Sequence, residues 1–260
     1  MNIGLIGYGF VGQAMDYTFK KHTKVTIYDK YQNKYSDISG IINTEICFVA
    51  VPTPSCNNGY DLSALNDVLT CLTQVSYSGI VVIKSTVLPG TTRKFIRDYP
   101  SLKIIHNPEF LTARTAAEDF AKHSPIIIGY ENEEYGLTVK NFYQSIFPEA
   151  RISICNTLES ESTKIFCNCY YAVKIQLFTE FKLLCDSNHS DFNKVREMML
   201  ENSWINPMHT TIPGPDGQLS FGGLCFPKDL TALVKHMENN EQKSEVLSAA
   251  LLERNQMRDD

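Results

Sequence analysis

Asn2-Ile3-Gly4-Leu5-Ile6-Gly7-Tyr8-Gly9-Phe10-Val11-Gly12 is the stretch that decides the fold. A short apolar run leads at once into a glycine turn, and the turn into a helical pattern. Gly7 permits the tight turn, Gly9 lets a backbone approach a pyrophosphate, and Gly12 lets helix and strand pack closely. The helix start, with Phe10 and Val11, adds unpaired N–H groups and a positive dipole end. A second apolar run, Lys24–Tyr28, is followed by Asp29, where an acid binds the ribose diol of a dinucleotide. An acid there repels a 2′-phosphate and favours NAD over NADP, while the neighbouring Lys30 pulls the other way. A glycine turn without a ligand is the bland alternative.

Working outward, further runs occur at Ile46–Val51, Gly79–Lys84, Lys103–His106, Pro125–Gly129 and Arg151–Ile154. Their near-continuous Val/Ile content predicts strands covered on both faces, hence a parallel sheet wrapped by helices. Residues 1–155 are therefore expected to form a doubly wound, Rossmann-type α/β domain. The pattern then changes to one long helix, Thr157 to about Ser187, with Asn156 as N-cap and Glu159 three residues on. Shorter helices are expected over Asn193–Asn202, Lys228–Glu238 and Glu245–Met257, with an ordered Gly/Pro-rich site loop from Pro207 to Gly223. Residues 156–260 thus read as an all-α domain.

Composition narrows the function classes. Of 260 residues, 43% are apolar and 20% charged, as in ordinary globular enzymes. A formal charge of -5, with no basic stripe, argues against a nucleic-acid surface. No apolar run reaches the roughly 20 residues of a membrane helix, and Met1–Ile6 lacks the cationic leader of a signal peptide. Eight cysteines without such a leader suggest reduced thiols in a cytoplasm, most of them packing residues. Cys167 and Cys169 have no CxxC or His partners, so no metal site is expected.

The chemistry-bearing stretches sit at strand ends, which line the ligand crevice of an open α/β sheet. They are Val51-Pro52-Thr53-Pro54, Lys84-Ser85-Thr86-Val87-Leu88-Pro89-Gly90-Thr91 and Asn107-Pro108-Glu109-Phe110-Leu111. Glu161, Lys164 and Asn168 share one stripe of the long helix, where a lysine and an amide suit an oxyanion or a sugar hydroxyl; a Glu–Lys surface pair is the plain alternative. Phe221-Gly222-Gly223-Leu224-Cys225-Phe226-Pro227-Lys228-Asp229 is the most informative. Pro227 suits a first helical turn, so Cys225 sits where the dipole favours thiolate. Asp229 can lie beside it as proton acceptor or water positioner.

In this order the motifs GYGFVG, VPTP, KSTVLPGT, NPEFL, ExxKxxxN and FGGLCFPKD resemble the UDP-glucose/GDP-mannose dehydrogenases, and the CFPKD spelling looks most like the UDP-glucose members. The resemblance implies oxidation of a sugar C6 alcohol to a carboxylate with two NAD. Cys225 would form a thiohemiacetal and then a thioester, which water hydrolyses. Lys164 and Asn168 would stabilise the oxyanion, Asp229 and Thr86 would hold a water or proton relay, and Glu109 would help activate the hydrolytic water. Pro52, Thr53 and Thr86 would join the cofactor residues. Phe110, Leu111, Phe221, Gly222 and Gly223 would join Glu109, Lys164 and Asn168 on the substrate, UDP-glucose by expectation. The long helix would form a homodimer, as in the family.

Two departures from the family stand out. The family's second glutamate, four residues after the first, is here Ala113, which bears on the hydrolytic step. Family members also carry a third, Rossmann-like domain that helps bind UDP, and here the sequence stops at Asp260. Uridine contacts are then expected from the central domain, a dimer partner, another polypeptide or nowhere. Dehydrogenation of another nucleotide sugar, a one-step hydroxyacid dehydrogenase, and a non-catalytic NAD-binding subunit remain the alternatives.

Overall fold

The computed structural model describes residues 1–56, 59–112, 114–122 and 125–260. They form two compact units, Met1–Pro54 with Tyr60–Lys164, and Ser55–Gly59 with Ile165–Asp260.

The strands are β1 (Asn2–Ile6), β2 (Lys24–Tyr28), β3 (Ile46–Val49), β4 (Ser55–Cys56), β5 (Gly59–Tyr60), β6 (Ile80–Ile83), β7 (Lys103–His106), β8 (Ile126–Gly129) and β9 (Ile152–Cys155). Seven of them build the sheet of the first unit, in the order β2-β1-β3-β6-β7-β8-β9. Side chains alternate across it. Ile46 and Phe48 face a core closed by α1 (Phe10–Phe19), α4 (Ala116–Ala121) and α5 (Glu133–Ile146). Cys47 and Val49 face the other core, closed by α2 (Ser63–Gln74) and α3 (Thr91–Asp98). Burial on both faces is why these strands are continuous apolar runs. Phe19 anchors the first core, its ring 5.1 Å from Phe142 and 5.3 Å from Phe48. Truncating such a residue to Ala costs roughly 3–5 kcal/mol.

The expectation of a wholly parallel sheet needs correcting at one junction. β7 and β8 pair antiparallel, while the other neighbours in the sheet are parallel. The connection that carries α4 begins and ends at the same end of these two strands, so the chain enters β8 reversed. The order of strands also changes direction at β1, with β2 on one side and β3 on the other. Beyond the carboxyl ends of β1 and β3 lies the crevice where such sheets bind ligands.

The helix α6 spans Thr157–Ser187. Asn156 and Glu159 close its start reciprocally, with Glu159 N–H donating to Asn156 Oδ1 (3.0 Å) and Asn156 N–H to Glu159 Oε2 (2.9 Å). Its first two turns pack into the first unit through Ser160 and Glu161, and that unit runs to Lys164.

The second unit is built from the rest of α6, α7 (Phe192–Glu201), α8 (Phe226–Asn239) and α9 (Glu245–Met257). The loop before α8 is ordered by long cations. Lys174 Nζ donates to the carbonyls of Asn206 and Met208, and Arg196 Nε to Thr210 Oγ1 (2.8 Å). Among the described residues, no helix is long and apolar enough to cross a membrane.

Candidate active site

The glycine turn has the geometry that its sequence predicts. Gly7 has φ +90°, and a Cβ there would lie 2.3 Å from Ala50 O. A Cβ on Gly12 would lie 2.2 Å from Gly7 O, so only glycine lets α1 start against the turn. Gly9 is the N-cap of α1, and the space beside it is open. No acidic side chain lies in the first turn of α1, which leaves its N–H groups to an anion. Phe10 is exposed there, and Val11 packs against the first core.

A cavity of about 400 Å³ opens beside this turn, lined among others by Gly7, Asp29, Lys30, Pro52, Asp67 and Cys71. The Asp29 carboxylate is fixed by two backbone donors, Tyr8 N–H (2.7 Å) and Tyr31 N–H (2.9 Å). Lys30 Nζ is 3.4 Å from Asp67 Oδ2. An adenine-sized cleft, a fixed acid for a diol and an open helix start fit NAD. Thr53 and Thr86 do not line this cavity; the Thr53 hydroxyl donates to Thr86 O (2.7 Å) and ties the ends of β3 and β6.

Beyond β7 the chain delivers a second group. Glu109 Oε1 pairs with Lys164 Nζ at 3.0 Å, both side chains nearly buried, and Glu109 Oε2 accepts from Leu111 N–H (2.6 Å). The Lys164 ammonium lies 5.3 Å from the centre of the Phe110 ring. Glu109, Phe110, Leu111 and Lys164 are thus together. Glu161, one turn before Lys164, turns elsewhere: it accepts from Gly90 and Thr92 N–H, both at 2.6 Å, and so caps α3. Ala113 lies outside the described residues.

In the second unit, Cys225 is exposed and is the N-cap of α8, with Pro227 in the first turn. Asp229 N–H donates to Cys225 O (2.8 Å), closing the first turn of α8. The Asp229 carboxylate is buried; it accepts from Asn168 Nδ2 (2.6 Å) and pairs with Lys228. Burial pushes the thiol of Cys169 up, and nearby Asp229 adds to this, so Cys169 is held as the thiol.

The glycines before Cys225 divide their work. Gly223 has φ +80° with open space around it, while the Cβ position of Gly222 is filled by the Arg258 guanidinium, 2.1 Å away. Phe221 is buried, and its carbonyl accepts from Arg254 Nε (3.2 Å). On that side the loop therefore meets its own chain.

Residues 33–147 match the UDP-glucose/GDP-mannose dehydrogenase family, NAD binding domain, and residues 144–256 match the central domain of the same family. The chain belongs to this family. The UDP-glucose 6-dehydrogenase of Rickettsia bellii is 31% identical over 216 residues, 80% of this chain and 49% of that protein. The chain thus spans about half the length of the curated relative. Two solved structures share the fold. A UDP-glucose dehydrogenase from Pyrobaculum islandicum has a TM-score of 0.82 at 24% identity, covering 96% of this chain and 67% of that one. A UDP-D-ManNAc dehydrogenase from Pyrococcus horikoshii has a TM-score of 0.85 at 21% identity, covering 99% and 69%.

Within this member of the UDP-glucose/GDP-mannose dehydrogenase family, sequence reasoning missed three groups that support the site. Lys84 is buried and donates to Asn107 Oδ1 and Pro108 O in the turn before Glu109, and Arg254 and Arg258 hold the loop before Cys225. Lys84 carried a signal, a charge directly after a strand buried on both faces. The arginines carried none, because the loop groups they hold, Phe221, Leu219 and Asp216, are distant from them in sequence.

Proposed function

We propose that the chain carries the NAD-dependent oxidation of UDP-glucose to UDP-glucuronate, in two oxidations joined by a covalent step on Cys225. The observation that supports this most is Cys225 itself, an exposed thiol at a helix N-terminus with a buried carboxylate one turn on. A helix start stabilises a thiolate, and a thiolate is a good nucleophile towards an aldehyde.

NAD, when bound, supplies the hydride acceptor, one molecule for each oxidation. Asp29 orients the adenosine end, and Gly9 with the start of α1 takes the pyrophosphate. Cys225 Sγ adds to the C6 aldehyde, and the carbonyl oxygen takes a proton to give a thiohemiacetal. Loss of a hydride and a proton leaves a thioester. Water then adds, the C–S bond breaks, and carboxylate, thiol and a proton result. Lys164 and Asn168, one turn apart on α6, stabilise oxyanions in these steps. Glu109 takes a proton from the attacking water, and Asp229 with Thr86 serves the proton relay. Phe110, Leu111, Phe221, Gly222 and Gly223 complete the substrate residues of the family pattern.

We also infer a homodimer through α6, where Phe166, Tyr170, Leu177 and Leu184 are exposed along one side. All eight cysteines are outside disulfides, which supports a cytoplasmic setting.

The test is stoichiometry across a panel of nucleotide sugars. Wild type should release two NADH per sugar acid, with UDP-glucose the best substrate, and Cys225→Ser should make no acid. Normal acid formation by Cys225→Ser would remove the covalent mechanism. Preference for a UDP-N-acetylhexosamine would shift the substrate and leave the chemistry in place.

A further inference from the structure

The cavity beside the glycine turn is lined by the segment after β2 and by α2. Its charged lining residues are Asp29 and Lys30 from that segment and Asp67 from α2. The Asp29 carboxylate is held on both oxygens, Oδ2 by Tyr8 N–H (2.7 Å) and Oδ1 by Tyr31 N–H (2.9 Å). It keeps lone pairs for a ribose diol and is fixed in place. Lys30 makes no ion pair with this neighbour among the described residues; it pairs instead with Asp67, Nζ to Oδ2 at 3.4 Å. Asp67 is carried by a helix whose other side, Leu65, Val68, Leu69 and Leu72, is buried in the second core. Its carboxylate is therefore tethered at the cavity.

In dinucleotide-binding folds, a basic residue near the ribose site is what accommodates a 2′-phosphate. Lys30, next to the diol acid, is such a residue, and by itself it works against the selectivity that Asp29 sets.

We propose that Asp67 is a specificity-determining residue of the cofactor site: it occupies the Lys30 ammonium, so that a 2′-phosphate meets two carboxylates and no unclaimed cation. Both side chains are exposed, at 62% and 68%, so the pair itself is weak, contributing up to about fivefold in an equilibrium constant. Its strength is not what excludes the phosphate. To take Lys30, a phosphate must part the pair and then lie beside an unpaired Asp67 that α2 keeps in place. The neutral diol of NAD asks nothing of Lys30 and leaves the pair intact. The proposal rests on NAD binding in this cavity and not on the chemistry at Cys225.

Neutralising Asp67 does two things: it relieves a repulsion, and it releases Lys30. Only the second needs Lys30, and this separates them. The experiment titrates NADH by fluorescence and then displaces it with NADP, for wild type, Asp67→Asn, Lys30→Gln and the double variant. Both positions are exposed, so each variant should fold, and a circular dichroism melt checks it. Asp67→Asn should tighten NADP binding by roughly three- to tenfold, the low end for a charge-assisted contact because the site is exposed. NADH binding should move by less than about twofold in any of the variants, since no charge of NADH meets the pair. In the Lys30→Gln background the same Asp67→Asn change should alter NADP binding by less than about twofold. Added salt should shrink the gain, because the charges concerned are exposed. NADP affinity unmoved by Asp67→Asn would overturn the proposal. Equal gains with and without Lys30 would overturn it too, because repulsion by Asp67 would then suffice. Failure of wild type to bind NADH would remove the cofactor assignment itself, and the proposal with it.

Discussion

Replacing Glu161 measures what one buried carboxylate contributes to the scaffold beneath the site. Gly90, the N-cap of α3, has no side chain to satisfy the helix start, and α3 has no acid in its first turn. Glu161 supplies both needs from α6, fully buried, with one oxygen on Gly90 N–H and the other on Thr92 N–H, each at 2.6 Å. In Glu161→Ala both donors lose their partner. A charge-assisted hydrogen bond contributes roughly 1.5–3 kcal/mol, and each buried orphan donor costs about 1–3 kcal/mol, overlapping quantities that together suggest a loss of roughly 3–5 kcal/mol. Glu161→Gln keeps one acceptor but turns an NH₂ towards a backbone N–H, so its loss should be about 2–3 kcal/mol. At about 2–4 °C per kcal/mol for a chain of this size, the Ala variant should melt roughly 6–20 °C lower. Circular dichroism melts of the three proteins at pH 7 are sufficient, with Gln falling between wild type and Ala. A drop below about 2 °C in Glu161→Ala would refute the capping argument, since water would then be serving the start of α3 equally well.

Three further perturbations address the site itself. Asp29→Ala should weaken NAD binding by roughly tenfold or more and narrow its margin over NADP, because it removes the ribose partner and the acceptor for Tyr8 N–H; NADH fluorescence titration showing an unchanged margin would remove that role. Gly222→Ala drives a Cβ into the Arg258 guanidinium and should destabilise by roughly 1–3 kcal/mol, with turnover falling as the loop before Cys225 shifts; unchanged turnover would show that Arg258 yields freely. If the acid that the family has at position 113 delivers water, Ala113→Glu should speed thioester hydrolysis towards the low end of the roughly 10²–10⁴-fold range for general-base assistance. Wild type should then show an NADH burst and a sugar-nucleotide adduct on Cys225 by intact mass; an unchanged steady rate in Ala113→Glu would mean that Glu109 suffices.

What was legible in the sequence follows from how local each cause is. The sheet strands announced themselves because burial on both faces requires an unbroken apolar run, and α6 was bounded correctly because Asn156 and Glu159 close its start within three residues. The reversed entry of β8 left no trace, since Ile126-Ile127-Ile128 is equally apolar in either direction. Glu161 and Lys164 show the limit most sharply. They lie on one stripe of one helix, and helical spacing alone assigns both to the same surface. In the fold Glu161 meets the backbone of α3, and Lys164 meets the turn that follows β7. Which loop stands at each level of the helix is decided by the strand order, with β6 beside β7. A carboxylate that meets two backbone donors becomes a cap, whereas an ammonium that meets a carboxylate becomes half of a nearly buried ion pair. The helical period therefore found the residues, and the topology of the sheet assigned their chemistry.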